Sequence, residues 1–195
     1  MNQTYDIYNS HLLPDLVSKD WSRVADALSR LGAGGPQHLS PDVARVAIGL
    51  ISDADPDLRH QAIFAMGLHW HHPDAFPEIA KVLRNPREED SVLVCAASAI
   101  GSMVHDNDAL RAAGTRELLR VVANSGMTMD VRGAAYKAAL WAAGRITPNE
   151  YARRPPPDHL DDIDWTWVNA NRGQTAFPGD DPIKDDFDLQ IPLPE

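Results

Sequence analysis

Two groups of side chains in the sequence could do chemistry, a cluster of histidines and several pairs of carboxylates. His69, His71 and His72 stand close together, with Asp74 just after them. Histidine and aspartate are ligands that zinc and other transition metals accept. The run His-Trp-His-His-Pro is also typical of a helix that ends in a turn, where histidine interacts favourably with the helix dipole. We therefore interpret the cluster as structural and expect neither a metal nor a cofactor.

The paired carboxylates lie near the C-terminus, at Asp161-Asp162, Asp180-Asp181 and Asp185-Asp186. General acid–base catalysis needs carboxyl groups that a fold holds in reach of the substrate, whereas aspartate runs in a polar segment are usually solvated. The sequence contains neither a GxxxxGK[ST] phosphate loop nor a GxSxG nucleophile elbow. These patterns favour a protein that is not an enzyme.

Cys95 is the only cysteine, which excludes an internal disulfide and a four-cysteine zinc site. It stands among small and apolar residues, so we interpret it as a core residue rather than a nucleophile. The sequence shows no signal peptide, and its apolar runs are far shorter than the roughly 18 residues of a membrane span. A soluble, cytoplasmic protein is therefore expected.

Charge is distributed unevenly along the chain, whose formal net charge is −10. Residues 155–195 contain ten acidic and two basic groups, whereas residues 1–154 contain 18 acidic and 16 basic groups. An acidic balance disfavours a nucleic-acid ligand and favours a basic partner. Because Pro155-Pro156-Pro157 cannot continue a helix, the sequence predicts a body at 1–154 and an acidic, proline-rich extension at 155–195.

The body shows helical patterns throughout. Apolar residues recur at intervals of three and four, which is typical of amphipathic helices. A residue that can cap a helix precedes proline at Ser40-Pro41, Asp55-Pro56, Asn85-Pro86 and Thr147-Pro148. Proline suits the first helical position because its missing N–H would have no intrahelical partner there. Helices are therefore predicted to begin at these four points.

The helical pairs recur at a nearly constant distance. Three apolar stripes end at Gly32, Gly67 and Gly101, which are 35 and 34 residues apart. Such a period is typical of a solenoid, in which each helical pair buries its apolar face by stacking on its neighbours.

The segment from Asp55 to Gly67, DPDLRHQAIFAMG, with the following HHPDAFPEIAKVLRN, resembles a HEAT-like repeat of the phycobilisome-lyase type, and MDVRGAA at 129–135 repeats its opening. The resemblance covers about residues 19–153. It implies an all-α, right-handed solenoid of about four helical hairpins, whose second helices line a concave face. Repeats of this type serve enzymes, lyases and binding proteins, so they indicate a fold more than a function.

The resemblance places the polar residues of the second helices on one face. Two tryptophans of the extension have the size that is typical of binding anchors, although they could instead cap the open end of the last hairpin. The predicted partner-binding residues are Arg45, Glu78, Lys81, Arg84, Arg116, Arg120, Trp165 and Trp167.

Together these patterns favour a non-catalytic protein–protein interaction module, and in its sharpest form an immunity protein that neutralises a basic toxin or enzyme. The expected partner is another protein, with no nucleic acid and no membrane. Two alternatives stay open. The resemblance alone implies an enzyme or chromophore-lyase subunit, and a HEAT-like DNA glycosylase would place Trp141 and Asp130 at its groove.

Overall fold

The computed structural model of the chain describes residues 12–33, 39–105 and 107–173. All regular secondary structure in these ranges is helical, as the sequence predicts. After a helical turn at 12–16, the α-helices are α1 (Trp21–Ala33), α2 (Pro41–Gly49), α3 (Pro56–Ile63), α4 (Phe76–Leu83), α5 (Asp90–His105), α6 (Asp108–Ala123), α7 (Met129–Ala142), α8 (Pro148–Arg153) and α9 (Trp165–Asn171). A π-helical turn, Phe64–His69, continues α3, and 3₁₀ turns lie at Leu50–Ser52, Pro73–Ala75 and Leu160–Asp162.

The helices form two layers. In the first layer α1, α3, α5 and α7 stack on one another in chain order. The second layer begins with the Leu50–Ser52 turn after α2. It continues in chain order with α4, α6 and α9. Each helix buries its apolar stripe against the neighbouring helices, so that one continuous core runs through the described chain. This is the architecture of an α-solenoid.

Two of the three repeated glycines, Gly67 and Gly101, do not end helices. Gly67 lies within the π-helical turn and Gly101 within α5, and both are buried. A Cβ atom on Gly67 would lie 2.7 Å from the Cβ of Ala99, and one on Gly101 would lie 2.9 Å from the Cβ of Ala138. Since such distances are too short for carbon atoms, glycine is needed here for close contact between stacked first-layer helices. The spacing of these glycines was correctly identified. Its physical reason is the close packing of neighbouring helices at Gly67 and Gly101.

The opening of α3 is tied to the loop before it. The Asp55 carboxylate accepts hydrogen bonds from the backbone N–H groups of Asp57 and Leu58 at the start of α3. Arg59 donates to the carbonyl oxygens of Asp53 and Ala54 at 2.8 and 2.9 Å. The Asp55 bonds satisfy N–H groups that the helix start leaves without partners, and the Arg59 bonds satisfy carbonyl groups of the preceding loop.

The same arginine position recurs in α7, where Arg132 donates from Nε to the carbonyl of Val122 at the end of α6, 2.8 Å away. Arg59 also pairs with the carboxylate of Glu88, in the loop before α5. Both arginines therefore connect one helical pair to the next and have a structural role.

Three of the four predicted helix starts are confirmed. Pro41, Pro56 and Pro148 begin helices, and Thr147 with Glu150 forms a complete capping box. The prediction at Asn85-Pro86 is wrong, because these residues form a turn and α5 begins only at Asp90.

The segment after α8 packs on the end of the solenoid. Residues 165–171 form a helix rather than an extended strand-like piece, and α9 lies beside α6 with Val168 fully buried. Its start is held by α7, since the Asp164 N–H donates to the Tyr136 hydroxyl at 3.0 Å. The division of the chain at residue 154 stays a prediction.

Gly133 of α7 tests the contact between this segment and the solenoid. A Cβ atom at Gly133 would lie 2.2 Å from the carbonyl oxygen of Pro157. Gly133→Ala should lower the free energy of unfolding by about 1–3 kcal/mol, because backbone must move to admit the methyl group. Alanine also favours the helix over glycine by at most about 1 kcal/mol, and this gain offsets only part of the loss. Urea denaturation followed by circular dichroism measures it.

Gly49→Ala is the matched control, since no atom lies within 4 Å of the added Cβ. It should leave stability unchanged or raise it slightly. Equal effects of the two substitutions would contradict the close crossing at Pro157.

Candidate functional site

The polar face of the second layer consists mainly of ion pairs. Arg45 pairs with Asp42 at 2.5 Å on α2, and Lys81 approaches Glu78 to 3.9 Å on α4. Arg45 and Lys81 are about three-quarters exposed (76% and 75%), so these pairs contribute little to stability. This part of the face is nearly neutral and open to solvent.

The centre of the face is Glu117 of α6, whose side chain is only 2% exposed. Its carboxylate accepts a hydrogen bond from Arg84 Nε at 2.8 Å and another from Arg120 at 2.9 Å. Because Arg84 follows α4 directly, this cluster joins α4 to α6. A buried carboxylate with two charge-assisted hydrogen bonds is held in a fixed position.

Glu117 was not among the predicted partner-binding residues, although its spacing of three from Arg120 could have indicated the pair. Arg116 is half-buried, and no hydrogen bond or ion pair joins it to another described residue. The structure therefore brings Arg84 and Arg120 together around one carboxylate, and places Arg45 apart from them on α2.

Trp167 lies in a cluster that attaches α9 to α7. The Arg145 guanidinium is 4.7 Å from the centre of the Trp167 ring, and Tyr136 meets that ring edge-on at 6.1 Å. Asp164 accepts from the Trp167 N–H and from Arg145, and these two bonds lower the pKa of Asp164. The ring is thus partly covered by the chain's own residues.

Trp165 is half-buried and lies beside the 3₁₀ turn Leu160–Asp162. Its indole N–H donates to the carbonyl of Leu160 at 3.0 Å, and the Arg132 guanidinium lies 5.6 Å from its ring. Contacts of this kind suit the capping role that the sequence offered as an alternative to partner binding. Both roles of the tryptophans stay predictions.

The 3₁₀ turn that Trp165 fixes is acidic and exposed. Leu160 is 45% exposed, although it is a large apolar residue. Asp158, Asp161 and Asp162 around it are exposed as well. The turn therefore presents an apolar side chain among three carboxylates at the surface.

The histidine cluster lies where the π-helical turn ends. His71 has a positive φ of 46° and its Nε2 lies 2.7 Å from the Ser102 hydroxyl. No group of three or more potential metal ligands converges within the described ranges. These contacts position the end of the turn against α5.

Trp141, considered for a glycosylase groove, stacks on His105 at 4.7 Å and on Tyr151 at 4.3 Å. Lys137 lies 4.6 Å from the Tyr151 ring centre. The Trp141 ring is therefore part of the packing between α5, α7 and α8. Asp130 is exposed at the start of α7, at the opposite end of the helix from Trp141.

The stacked helical layers define an α-solenoid. Within it, residues 43–139 match the family model described as HEAT repeats. This stretch, from α2 to α7, is therefore built of HEAT-like repeats, a family that generally mediates protein–protein contacts and is typically non-catalytic. Comparison with curated proteins and with solved structures gave no match. None of the described helices is long and apolar enough to cross a bilayer.

Removing the charge of Glu117 should weaken the contact between α4 and α6. Glu117→Gln removes the buried charge to which both Arg84 and Arg120 are hydrogen-bonded, so the free energy of unfolding should fall by about 2 kcal/mol. Urea denaturation gives the value. Asp42→Asn, which removes an exposed pair, should cost less than about 1 kcal/mol. Equal losses would contradict the role of Glu117.

Cys95 should be chemically inert in the native protein. It is buried in α5, as the sequence predicts, and desolvation raises its pKa to about 12. At pH 8 almost no thiolate is present, and the thiolate is the reactive form. Labelling with a chromogenic disulfide reagent should be slow in buffer and fast in concentrated urea. Rapid labelling in buffer would show that the side chain is accessible.

Proposed function

We propose that this protein is a non-catalytic binding module whose partner is a basic protein. The observation that carries the proposal is the match of residues 43–139 to HEAT repeats, a scaffold that generally binds other proteins. Solenoids offer long surfaces for such contacts because each repeat adds a further strip of exposed side chains.

The sign of the partner's charge is inferred from the C-terminal extension. Residues 155–195 carry an excess of eight negative charges, since ten acidic groups oppose two basic groups. The described part of the extension contributes exposed carboxylates at Asp158, Asp161 and Asp162. Complementary charge of this kind speeds association and excludes acidic competitors.

The second-layer face supports the same assignment. Arg84 and Arg120 are both hydrogen-bonded to Glu117, and Arg45 and Lys81 have carboxylates one turn away. Four of the predicted basic residues of this face are therefore already engaged by carboxylates of the chain itself. We therefore propose that Arg84 and Arg120 keep α4 and α6 in register, while Trp165 and Trp167 fix the acidic turn that meets the partner.

The sharpest form of the proposal is a neutralising protein, such as an immunity protein that blocks a basic toxin or enzyme. A small module with a fixed acidic turn suits this task, since a neutralising protein must capture its target quickly. The protein would act by covering the target's basic surface, with no chemistry of its own.

Affinity capture from lysate of the source cells tests the proposal. The full chain should retain one stoichiometric basic protein, and binding should weaken as salt is raised. Replacement of Asp158, Asp161 and Asp162 by Asn should lower the affinity about tenfold or more, because three rim charges are lost.

The matched control replaces three other exposed carboxylates, Asp57, Asp74 and Asp130, by Asn. It has the same net charge as the test variant and should bind as the unmodified chain does. Equal loss in both variants would place the contact elsewhere. Retention of a small molecule or a nucleic acid, with no protein, would reject the binding-module function.

A further inference from the structure

A second surface lies at the other end of the solenoid, between α1 and the helix that α3 and its π-helical continuation form. It is an open groove of about 710 Å³, within the range of sites that bind small molecules and peptide side chains. Trp21 and Phe64 line it, and each is 48% exposed. Large apolar side chains that stay in contact with water are a mark of binding surfaces when they share one groove.

The groove has a defined shape because its two walls are tied together. The Trp70 indole N–H, just after the π-helical turn, donates to the carbonyl of Leu31 on α1 at 2.9 Å. Gly32 admits the Phe64 ring, whose atoms would lie 3.2 Å from a Cβ at this position. The aromatic walls are therefore held by contacts that do not depend on a ligand.

The polar lining of the groove is mixed and consists of Asp26, His60, Gln61 and the hydroxyls of Ser22 and Ser29. Gln61 lines it, and its side-chain oxygen is buried without a hydrogen-bond partner. Because that oxygen is closed to solvent, a ligand N–H reaches it only if the Gln61 side chain turns toward the groove. Asp26 adds a carboxylate, and the described lining contains no lysine or arginine. The two arginines nearest to Asp26 along α1, Arg23 and Arg30, both pair with Asp15 at 2.5 Å.

We propose that this groove binds a basic, apolar segment of the partner protein, with an arginine or lysine side chain beside Trp21 and Phe64. The aliphatic stem of such a side chain suits the apolar floor formed by Ala25 and Leu28. Its charged end suits aromatic faces together with the Asp26 carboxylate.

The net charge of the chain favours a basic segment over a second copy of the chain as the occupant of the groove. Each copy carries a net charge of −10, so two copies repel one another. The inference rests on the proposed function and adds to it a contact site at the N-terminal end, separate from the acidic turn at Leu160.

The test uses the full chain labelled with ¹⁵N and a capped peptide, Ac-Leu-Arg-Leu-Arg-NH₂. Titration should shift the indole N–H signal of Trp21 and the side-chain amide signal of Gln61 in a saturable way. The matched peptide with glutamate in place of arginine should leave both signals unchanged. Signals that move only near Leu160 or on the second-layer face would overturn the inference.

Variants of exposed residues give the second measurement. Asp26→Asn and Trp21→Ala should each weaken peptide binding about tenfold, since each removes one contact with the basic side chain. Val17→Ala is the control, because Val17 is 62% exposed and lies outside the groove lining. It should bind like the unmodified chain. Unchanged affinity in the Asp26 and Trp21 variants, with circular dichroism showing a native fold, would also overturn the inference.

The experiments can reject the inference about the groove and the proposed function independently of one another. If Trp21→Ala leaves partner capture intact while the Asp158, Asp161 and Asp162 variant abolishes it, the groove inference fails and the binding function stands. If the peptide binds in the groove but no basic protein is captured, the proposed function fails instead.

Discussion

The close stacking of the first-layer helices is the constraint on which the rest of the structure depends. A single helical pair cannot bury its apolar stripe, so each pair needs a neighbour on both sides. The helices come close enough only where a side chain is absent, as at Gly67 against Ala99 and Gly101 against Ala138. A methyl group at either glycine would push neighbouring first-layer helices apart and disturb the core that their contact buries.

Stacking of this kind leaves two open ends, and the chain treats them differently. At the C-terminal end, α9 covers α6 and buries Val168, while Asp164 and Tyr136 fix its start. At the N-terminal side, Trp21 and Phe64 remain exposed on either side of a groove. The two ends also differ in composition, because the C-terminal segment presents three carboxylates around Leu160 and the groove presents two aromatic rings beside the single carboxylate of Asp26.

The arginines show how tertiary contacts decide what a charged residue does. The sequence predicts Arg84 and Arg120 on a surface for a partner, and in the structure both are hydrogen-bonded to the buried carboxylate of Glu117. A carboxylate removed from water needs such partners, since its desolvation is costly. Pairs three residues apart on one helix could be found from the sequence, but the approach of Arg84 from α4 could not.

The sequence by itself determined the all-helical fold, the period of about 34 residues and the helix starts at Pro56 and Pro148. These features are local, because capping side chains, proline and apolar spacing act within a few residues. Only the tertiary structure decided that Gly101 is a packing contact, that α9 lies beside α6, and that Trp21 meets Phe64 across a groove. Each of these depends on segments that are distant in sequence, and their proximity follows from how the helical pairs stack.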